Sequence, residues 1–238
     1  MNIALLLSGG TGTRLGGDIP KQYLLAGGRP VFSYCLETLL THPAIDRVQI
    51  VADPAWRQDI TGWAESMADQ RLWTGKFCGF SRPGDTRQTS VFHGLEDILT
   101  YAGDRDCVLI HDAARPLLSH KQITDCLEGA VGRDGSMPVL PMKDTVYYSP
   151  DGRRVGRLLD RGRIYAGQAP EAFVLGPYFE ANRKLLPHEI LKINGSTEPA
   201  VMAGLDIAMI PGDEGNFKIT TKGDLERFRK IVEEESAG

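Results

Sequence analysis

No apolar run in these 238 residues approaches the roughly 20 that a membrane span needs. The N-terminus also lacks the charged, then apolar, then small-residue order of a secretory signal. An excess of basic charge is missing too. Lys and Arg number 27 against 31 Asp and Glu, a net charge of −4, which argues against nucleic acid as a partner. Cysteine is sparse: Cys35, Cys78, Cys107 and Cys126 show no metal-ligand spacing. Each sits in an apolar stretch, the pattern of buried free thiols in a reducing compartment. Together these absences predict a cytoplasmic protein that engages neither membrane nor nucleic acid.

Two common phosphate-binding signatures are missing as well. A dinucleotide fingerprint needs Gly-x-Gly-x-x-Gly. Here Gly10 and Gly12 are followed by Leu15 where the third glycine belongs, and Gly16 comes one place late. No Gly-Lys-Ser/Thr completes a Walker loop. A nicotinamide oxidoreductase and a P-loop ATPase are thereby excluded.

What is there begins at the N-terminus. Residues 3–7 form a short apolar run, the pattern of a buried strand. It opens into Leu7-Ser8-Gly9-Gly10-Thr11-Gly12-Thr13-Arg14-Leu15-Gly16-Gly17, with five glycines within nine residues, and then Pro20-Lys21-Gln22-Tyr23. Glycine lets backbone N–H groups approach a bound group closely, which is how a strand-to-loop turn cradles phosphates. With Arg14 and Lys21 seven residues apart, the loop can hold a polyphosphate and stabilise charge developing on it. Such a loop, with its cations after the glycines, suits enzymes that activate sugars or polyols with a nucleoside triphosphate.

Further apolar runs at 48–52, 107–110 and 137–140 read as parallel strands, and helical spacing falls at 31–40, 56–67, 89–101 and 123–131. Ser119 and Gln122 form a capping box for the last of these helices. The alternation predicts an α/β fold, a doubly wound and mostly parallel sheet covered on both faces. Ligands of such sheets lie beyond the carboxyl ends of the strands. The glycine loop emerges there, and so does His111-Asp112-Ala113-Ala114-Arg115-Pro116. The chain is expected to form a single domain over residues 1–238.

Residues 143–166 break the rhythm. Val146-Tyr147-Tyr148, Ser149-Pro150-Asp151-Gly152 and Arg153-Arg154-Val155 read as a hairpin around a turn. An isolated hairpin with little apolar surface is marginal in water. Either a second subunit or its own domain must cover it. The last third returns to the core with a strand at 205–211, a short strand at 217–220, and a final helix through about 235 capped by Thr221 and Asp224.

Asp112, at the end of an apolar strand, can hold Mg²⁺ against triphosphate oxygens. Arg115 can pair with a phosphate through its two-pronged guanidinium. His111, a lone histidine beside a strand end, reads as structural. Pro83-Gly84-Asp85-Thr86-Arg87-Gln88-Thr89-Ser90 is a second strand-to-helix junction that could read a base through backbone groups and Ser90. Lys218, between Phe217 and Ile219, points opposite to its apolar neighbours by strand alternation, toward solvent or the ligand edge.

Seven segments, in order along nearly the whole chain, resemble the cytidylyltransferases that make CDP-activated polyols. They are Ser8-Gly9-Gly10-x-Gly12-x-Arg14, Pro20-Lys21-Gln22, Gly84-x-x-Arg87-x-x-Ser90-Val91, His111-Asp112-Ala113-Ala114-Arg115-Pro116, Lys143-Asp144-Thr145, Asp160-Arg161 and Asn216-x-Lys218-Ile219-Thr220. The resemblance implies a Rossmann-like nucleotidyltransferase fold and a Mg²⁺-dependent in-line attack of the acceptor's phosphate on the α-phosphorus of CTP. It assigns Arg14, Lys21 and Lys218 to catalysis. Leu7, Ser8, Gly9, Gly10, Gly12, Thr13 and Arg115 would surround the nucleotide, with Gly84, Asp85 and Ser90 at the cytosine. Asp112 would hold the metal, with Asn216 or Asp213 as second contact, and Thr145 and Arg161 would bind the acceptor phosphate. The segment at about 143–166 would be a protruding β-hairpin arm that completes the acceptor site across a homodimer.

The departures cluster on the acceptor side. Many relatives carry Thr-Pro where this chain has Ala169-Pro170, and methylerythritol enzymes carry Thr-Asp-Glu where it reads Ser196-Thr197-Glu198-Pro199. The resemblance favours 2-C-methyl-D-erythritol 4-phosphate as acceptor, with ribitol 5-phosphate or another polyol or sugar phosphate as the alternative. A non-catalytic nucleotide-binding regulator is the rival from another class; it would not need Arg14, Lys21 and Lys218 together.

Overall fold

The computed structural model describes residues 1–10 and 19–237. Strand β1 (Asn2–Leu7) leads, past a 3-10 turn at Lys21–Tyr23, to a small ribbon of β2 (Leu25–Ala26) and β3 (Arg29–Pro30), then α1 (Val31–Thr41). Next come β4 (Arg47–Val51), α2 (Pro54–Glu65), α3 (Gln70–Lys76), β5 (Phe77–Ser81), α4 (Arg87–Ile98), β6 (Cys107–Asp112), α5 (His120–Gly129) and β7 (Gly135–Pro141). An arm of β8 (Val146–Tyr148) and β9 (Arg157–Leu159) interrupts the alternation. The chain returns through β10 (Tyr165–Gly167), β11 (Glu171–Val174), α6 (Leu175–Arg183), α7 (Thr197–Met202), β12 (Ile207–Pro211) and α8 (Lys222–Ala237).

The main sheet runs β10-β7-β11-β6-β1-β4-β5, with β12 also paired to β7. Its centre, β6-β1-β4-β5, is parallel. Alternation along the strands explains why helices cover both faces. Ala4, Leu6, Val48, Ile50 and Leu109 pack against α1, α2 and α5, whereas Ile3, Leu5, Val51, Val108 and Ile110 pack against α4 and α6. A third cluster of Ala26, Val31, Ile219, Leu225, Phe228 and Val232 docks α8. At Gly94 on α4 an added Cβ would fall 2.5 Å from a methyl of Leu5, so glycine sets how closely this helix rides on β1. Among the described residues, no helix is long and apolar enough to cross a membrane.

The expected doubly wound, mostly parallel sheet is present, and three expectations need correction. The stretch 217–220 is not a strand: among the described residues its one backbone pairing to the core is Ile219 N–H to Ala114 O at 2.8 Å, too little for a ladder. The arm's second strand is Arg157–Leu159 rather than 153–155, because Asp151 accepts the N–H groups of Arg153 and Arg154 and ties those residues into the turn. Cys78 is exposed, since β5 lies at the sheet edge, while Cys35 and Cys126 are buried. Strand β11, antiparallel and wedged between β6 and β7, was not among the expected elements.

The capping expectations hold. Ser119 and Gln122 form the reciprocal box that starts α5. At α8, Asp224 Oδ2 accepts the backbone N–H of Thr220 and of Thr221, which pulls its carboxyl down to about 2.

Candidate active site

Leu7 and Asp112 are register partners at the carboxyl ends of β1 and β6, so the glycine loop and the aspartate leave the sheet side by side. The start of the loop is tightly pinned. Ser8 N–H donates to Val51 O at 2.8 Å. Buried Gln22 donates through Nε2 to Ser8 O at 2.8 Å and to Gly10 O at 2.7 Å. The Tyr23 hydroxyl donates to Ser8 O at 2.9 Å and accepts from Ser8 Oγ at 3.0 Å. Burial pushes that phenol up to about 12, so it stays a donor at any physiological pH. Tyr23 is itself stacked on Trp56 at 4.3 Å between ring centroids. This packing sets Lys21, the residue before Gln22, at the loop mouth.

The second junction approaches from β5. A Cβ on Gly9 would lie 2.7 Å from Pro83 Cβ, so only glycine lets the two loops pass this closely. Gly84 N–H donates to Ser90 Oγ at 2.9 Å, and a Cβ there would strike Thr89 at 2.2 Å. Among the described residues, none comes within 4 Å of a Cβ added at Gly10, and Gly10 lines the first cavity.

Asp112 is the electrostatic centre. Oδ1 accepts from Arg87 Nε at 2.9 Å and Oδ2 from Lys218 Nζ at 2.8 Å, with Arg115 Nε 3.9 Å away. Burial alone would raise this carboxyl, but the charges of Arg87, Lys218 and Arg115 hold it well below the usual carboxylate range. Burial would lower the Arg87 guanidinium; Asp112 and Glu171 raise it instead. Burial lowers Arg115, with Asp112 opposing. His111 is fully buried, donates to Arg115 O at 2.9 Å, and is pushed down to about 4 by desolvation. It is a neutral structural imidazole, as its isolation in the sequence suggested.

Two cavities meet at this cluster. The first, of about 400 Å³, is lined by Leu7, Gly9, Gly10, Lys21, Gly84, Asp85 and Ser90 among others. The second, of about 390 Å³, is walled by Arg115, Gln168, Glu171, Ser196, Thr197 and Glu198 among others. Arg87, Asp112 and Lys218 line both. A long anion in the first cavity would therefore present one end to cations that also face the second.

Most of the expected nucleotide residues converge on the first cavity. Ser8 does not line it, because its side chain and carbonyl are spent on Tyr23 and Gln22. Arg115, expected at the nucleotide, opens onto the second cavity instead. Asn216, expected at the metal, is set back from both: it is 1% exposed and its amide donates to Ala169 O at 2.8 Å. Its backbone carbonyl accepts from Arg115 at 2.7 Å, so it orients a neighbour of the site. Asp213 caps its own turn and accepts from Gln122. Arg161, on the exposed arm, donates to Lys143 O at 2.7 Å, and neither it nor Thr145 lines either cavity of its own chain. Gly12, Thr13 and Arg14 lie outside the described residues.

Sequence reasoning assigned no role to Arg87 or Glu171. Arg87 did carry a signal. It is the first residue of α4, behind the Thr86 cap, where the helix dipole disfavours a cation unless a carboxylate compensates. Glu171 carried none, being an acid ahead of three apolar residues.

The donor set fits a hard cation of limited kind. Among the described residues, no group of three or more His, Cys, Asp or Glu side chains could hold a metal by itself. One carboxylate, Asp112, faces the cavity junction, and Mg²⁺ is commonly held by one or two carboxylates plus substrate phosphates. The residues fit such an ion in company with a triphosphate.

Comparison with known proteins agrees with this geometry. Residues 2–234 match the family model described as IspD, 2-C-methyl-D-erythritol 4-phosphate cytidylyltransferase. The chain is 34% identical over 234 residues to the 2-C-methyl-D-erythritol 4-phosphate cytidylyltransferase of Thermotoga neapolitana, covering 98% of each. It is 33% identical over 237 residues to the bifunctional enzyme IspD/IspF of Maricaulis maris, covering 98% of the chain but 57% of that relative. The chain thus spans a little over half the length of the bifunctional relatives it matches. The crystal structure of the Francisella tularensis 2-C-methyl-D-erythritol 4-phosphate cytidylyltransferase superposes with a TM-score of 0.76 at 25% identity, covering 95% of this chain and 97% of that one.

Proposed function

This chain belongs to the 2-C-methyl-D-erythritol 4-phosphate cytidylyltransferase family, and from that premise we propose that it transfers the cytidylyl group of CTP to 2-C-methyl-D-erythritol 4-phosphate. One observation carries the reading: Arg87, Asp112 and Lys218 are shared by two adjoining cavities, one beneath a glycine loop and one among hydroxyls and carboxylates.

The triphosphate lies along Gly9, Gly10 and Lys21; Arg14, to which the resemblance assigns a catalytic role, lies outside the described residues. Gly84, Asp85 and Ser90 surround the cytosine. The acceptor occupies the second cavity with its phosphate toward Lys218 and Arg115. One of its oxygens forms a bond to the α-phosphorus as the bond to the β-phosphate breaks, and pyrophosphate leaves carrying the electron pair. A phosphate monoester has its second pKa near about 6, so at neutral pH this nucleophile is already ionised and needs no general base. The site accords with that: His111, the nearest histidine, is sealed in the core and lines neither cavity.

Catalysis then rests on positioning and charge. Lys21 and Lys218 stabilise the negative charge that grows on the phosphates. Asp112 would hold Mg²⁺, which when bound supplies further charge neutralisation at the triphosphate. For Lys218 this requires moving its ammonium from Asp112 to phosphate, a shift a flexible four-carbon stem permits.

The arm completes the assembly. Tyr147 and Leu158 are 55% and 64% exposed on a hairpin that, among the described residues, has no sheet partner beyond its own two strands. A second copy of the chain covers these residues and receives Thr145 and Arg161 at its acceptor cavity, in a homodimer. The test is pyrophosphate release with CTP and Mg²⁺, comparing methylerythritol 4-phosphate with ribitol 5-phosphate. Preference for the first is expected. Turnover only with ribitol phosphate would move the acceptor assignment, and no turnover with either would overturn the reading.

A further inference from the structure

We propose that Glu171 is a positioning residue of the second cavity, holding Arg87, Ser196 and Thr197 in the arrangement that receives the acceptor. This rests on the reading of that cavity as the acceptor site. Glu171 pairs with Ile110 across β11 and β6. Directly opposed residues point to one face, and so do residues two apart along a strand. Glu171 and Asp112 therefore project from the same face of adjacent strands, two buried carboxylates at one site.

Arg87 enters between them from the start of α4. Its Nε donates to Asp112 at 2.9 Å, one terminal nitrogen donates to Ser196 Oγ at 2.5 Å, and the other lies 3.8 Å from Glu171 Oε2. Thr197 Oγ1 donates to Glu171 Oε1 at 2.7 Å. A guanidinium has five donors in one rigid plane. With Asp112 alone it could turn fully onto that carboxylate. With one acid at Nε and another near a terminal nitrogen its plane is fixed, and Ser196 is held by the remaining terminal nitrogen.

The arrangement is lopsided in a useful way. Arg87 lines both cavities, but Glu171, Ser196 and Thr197 line only the second. Loss of the Glu171 charge therefore falls on the acceptor rather than on CTP. A carboxylate whose only task was to stabilise the fold would produce no such split between the two substrates.

The test uses the full chain and three variants, Glu171→Gln, Glu171→Gln/Thr197→Asp and Thr197→Val. Glutamine keeps the shape and an oxygen for Thr197 but removes the charge. Its acceptor KM is expected to rise about tenfold while the KM for CTP moves by less than about twofold. The double variant returns a carboxylate to the other side of the same contact and is expected to recover most of the loss. Thr197→Val leaves every charge in place and guards against a glutamine variant that fails to fold; its acceptor KM is expected to rise severalfold, alone of the two. Equal effects on both substrates, or an unchanged acceptor KM, would overturn the proposal. A wild-type protein without turnover would instead overturn the functional reading, and the two failures are told apart by that first assay.

Discussion

Lys218 Nζ lies 2.8 Å from Asp112 Oδ2 and joins residues 106 positions apart in sequence. The contact puts a mobile cation and a fixed anion at the wall common to both cavities. Replacing Lys218 with Met keeps the stem and deletes the ammonium. Because removing one preorganised transition-state donor typically costs about 10²- to 10³-fold in turnover, kcat is expected to fall by that order. Steady-state kinetics checks this, and a kcat near wild type would take Lys218 out of the chemical step.

Lys21→Ala addresses the other cation. Lys21 follows a loop whose carbonyls are locked by Gln22, so its deletion should leave the cavity shape intact. Turnover is expected to drop by about two orders of magnitude or more while calorimetry still detects CTP binding. Loss of binding in proportion to loss of turnover would assign Lys21 to ground-state affinity instead.

The arm makes a prediction about pairs of chains. Arg161→Ala should raise the acceptor KM far more than the KM for CTP. Mixed with Lys21→Ala protein, allowed to exchange subunits and assayed at acceptor well below the variant's KM, two impaired preparations should regain activity. Half of the dimers are then mixed, and each has one intact site, so recovery should approach about a quarter of wild type. Absence of any recovery would mean that the arm serves its own chain.

His111 predicts how stability depends on pH. Burial holds its folded pKa at about 4, below the unfolded value near about 6.5. Between those values the unfolded chain binds a proton that the folded protein refuses. Stability is therefore full above about pH 6.5 and declines toward pH 4, by at most about 1.4 kcal/mol per unit for one group. His42, also pushed down by burial and by His120, adds to the slope. Denaturant unfolding of His111→Gln should show a slope smaller by up to one proton across that window. An unchanged slope would assign the proton uptake to other groups.

Much of the fold was legible in residue order. The runs at 3–7, 48–52 and 107–110 are apolar because both faces of a central parallel strand are covered, so they stand out without any alignment of partners. The caps at Ser119 and Thr221 were readable because a cap is a local contact between residues a few positions apart. β11 escaped because it is short, begins with Glu171, and owes its place to pairing with β6 and β7 rather than to any pattern of its own.

The site divides in the same way. Sequence by itself determined the glycine loop and Asp112 at a strand end, since each follows from backbone freedom or from an apolar run; the strand alternation invoked for Lys218 does not apply, because 217–220 forms no strand. Which partner Lys218 would find was undetermined, because the answer lay 106 residues away. Tertiary structure decided that Arg87 stands between Asp112 and Glu171, that Arg115 faces the second cavity, and that Asn216 supports from behind. The physical reason is that ion pairs and cavity walls depend on distances set by packing whole elements together, whereas turns, caps and strand faces depend on neighbours along the chain.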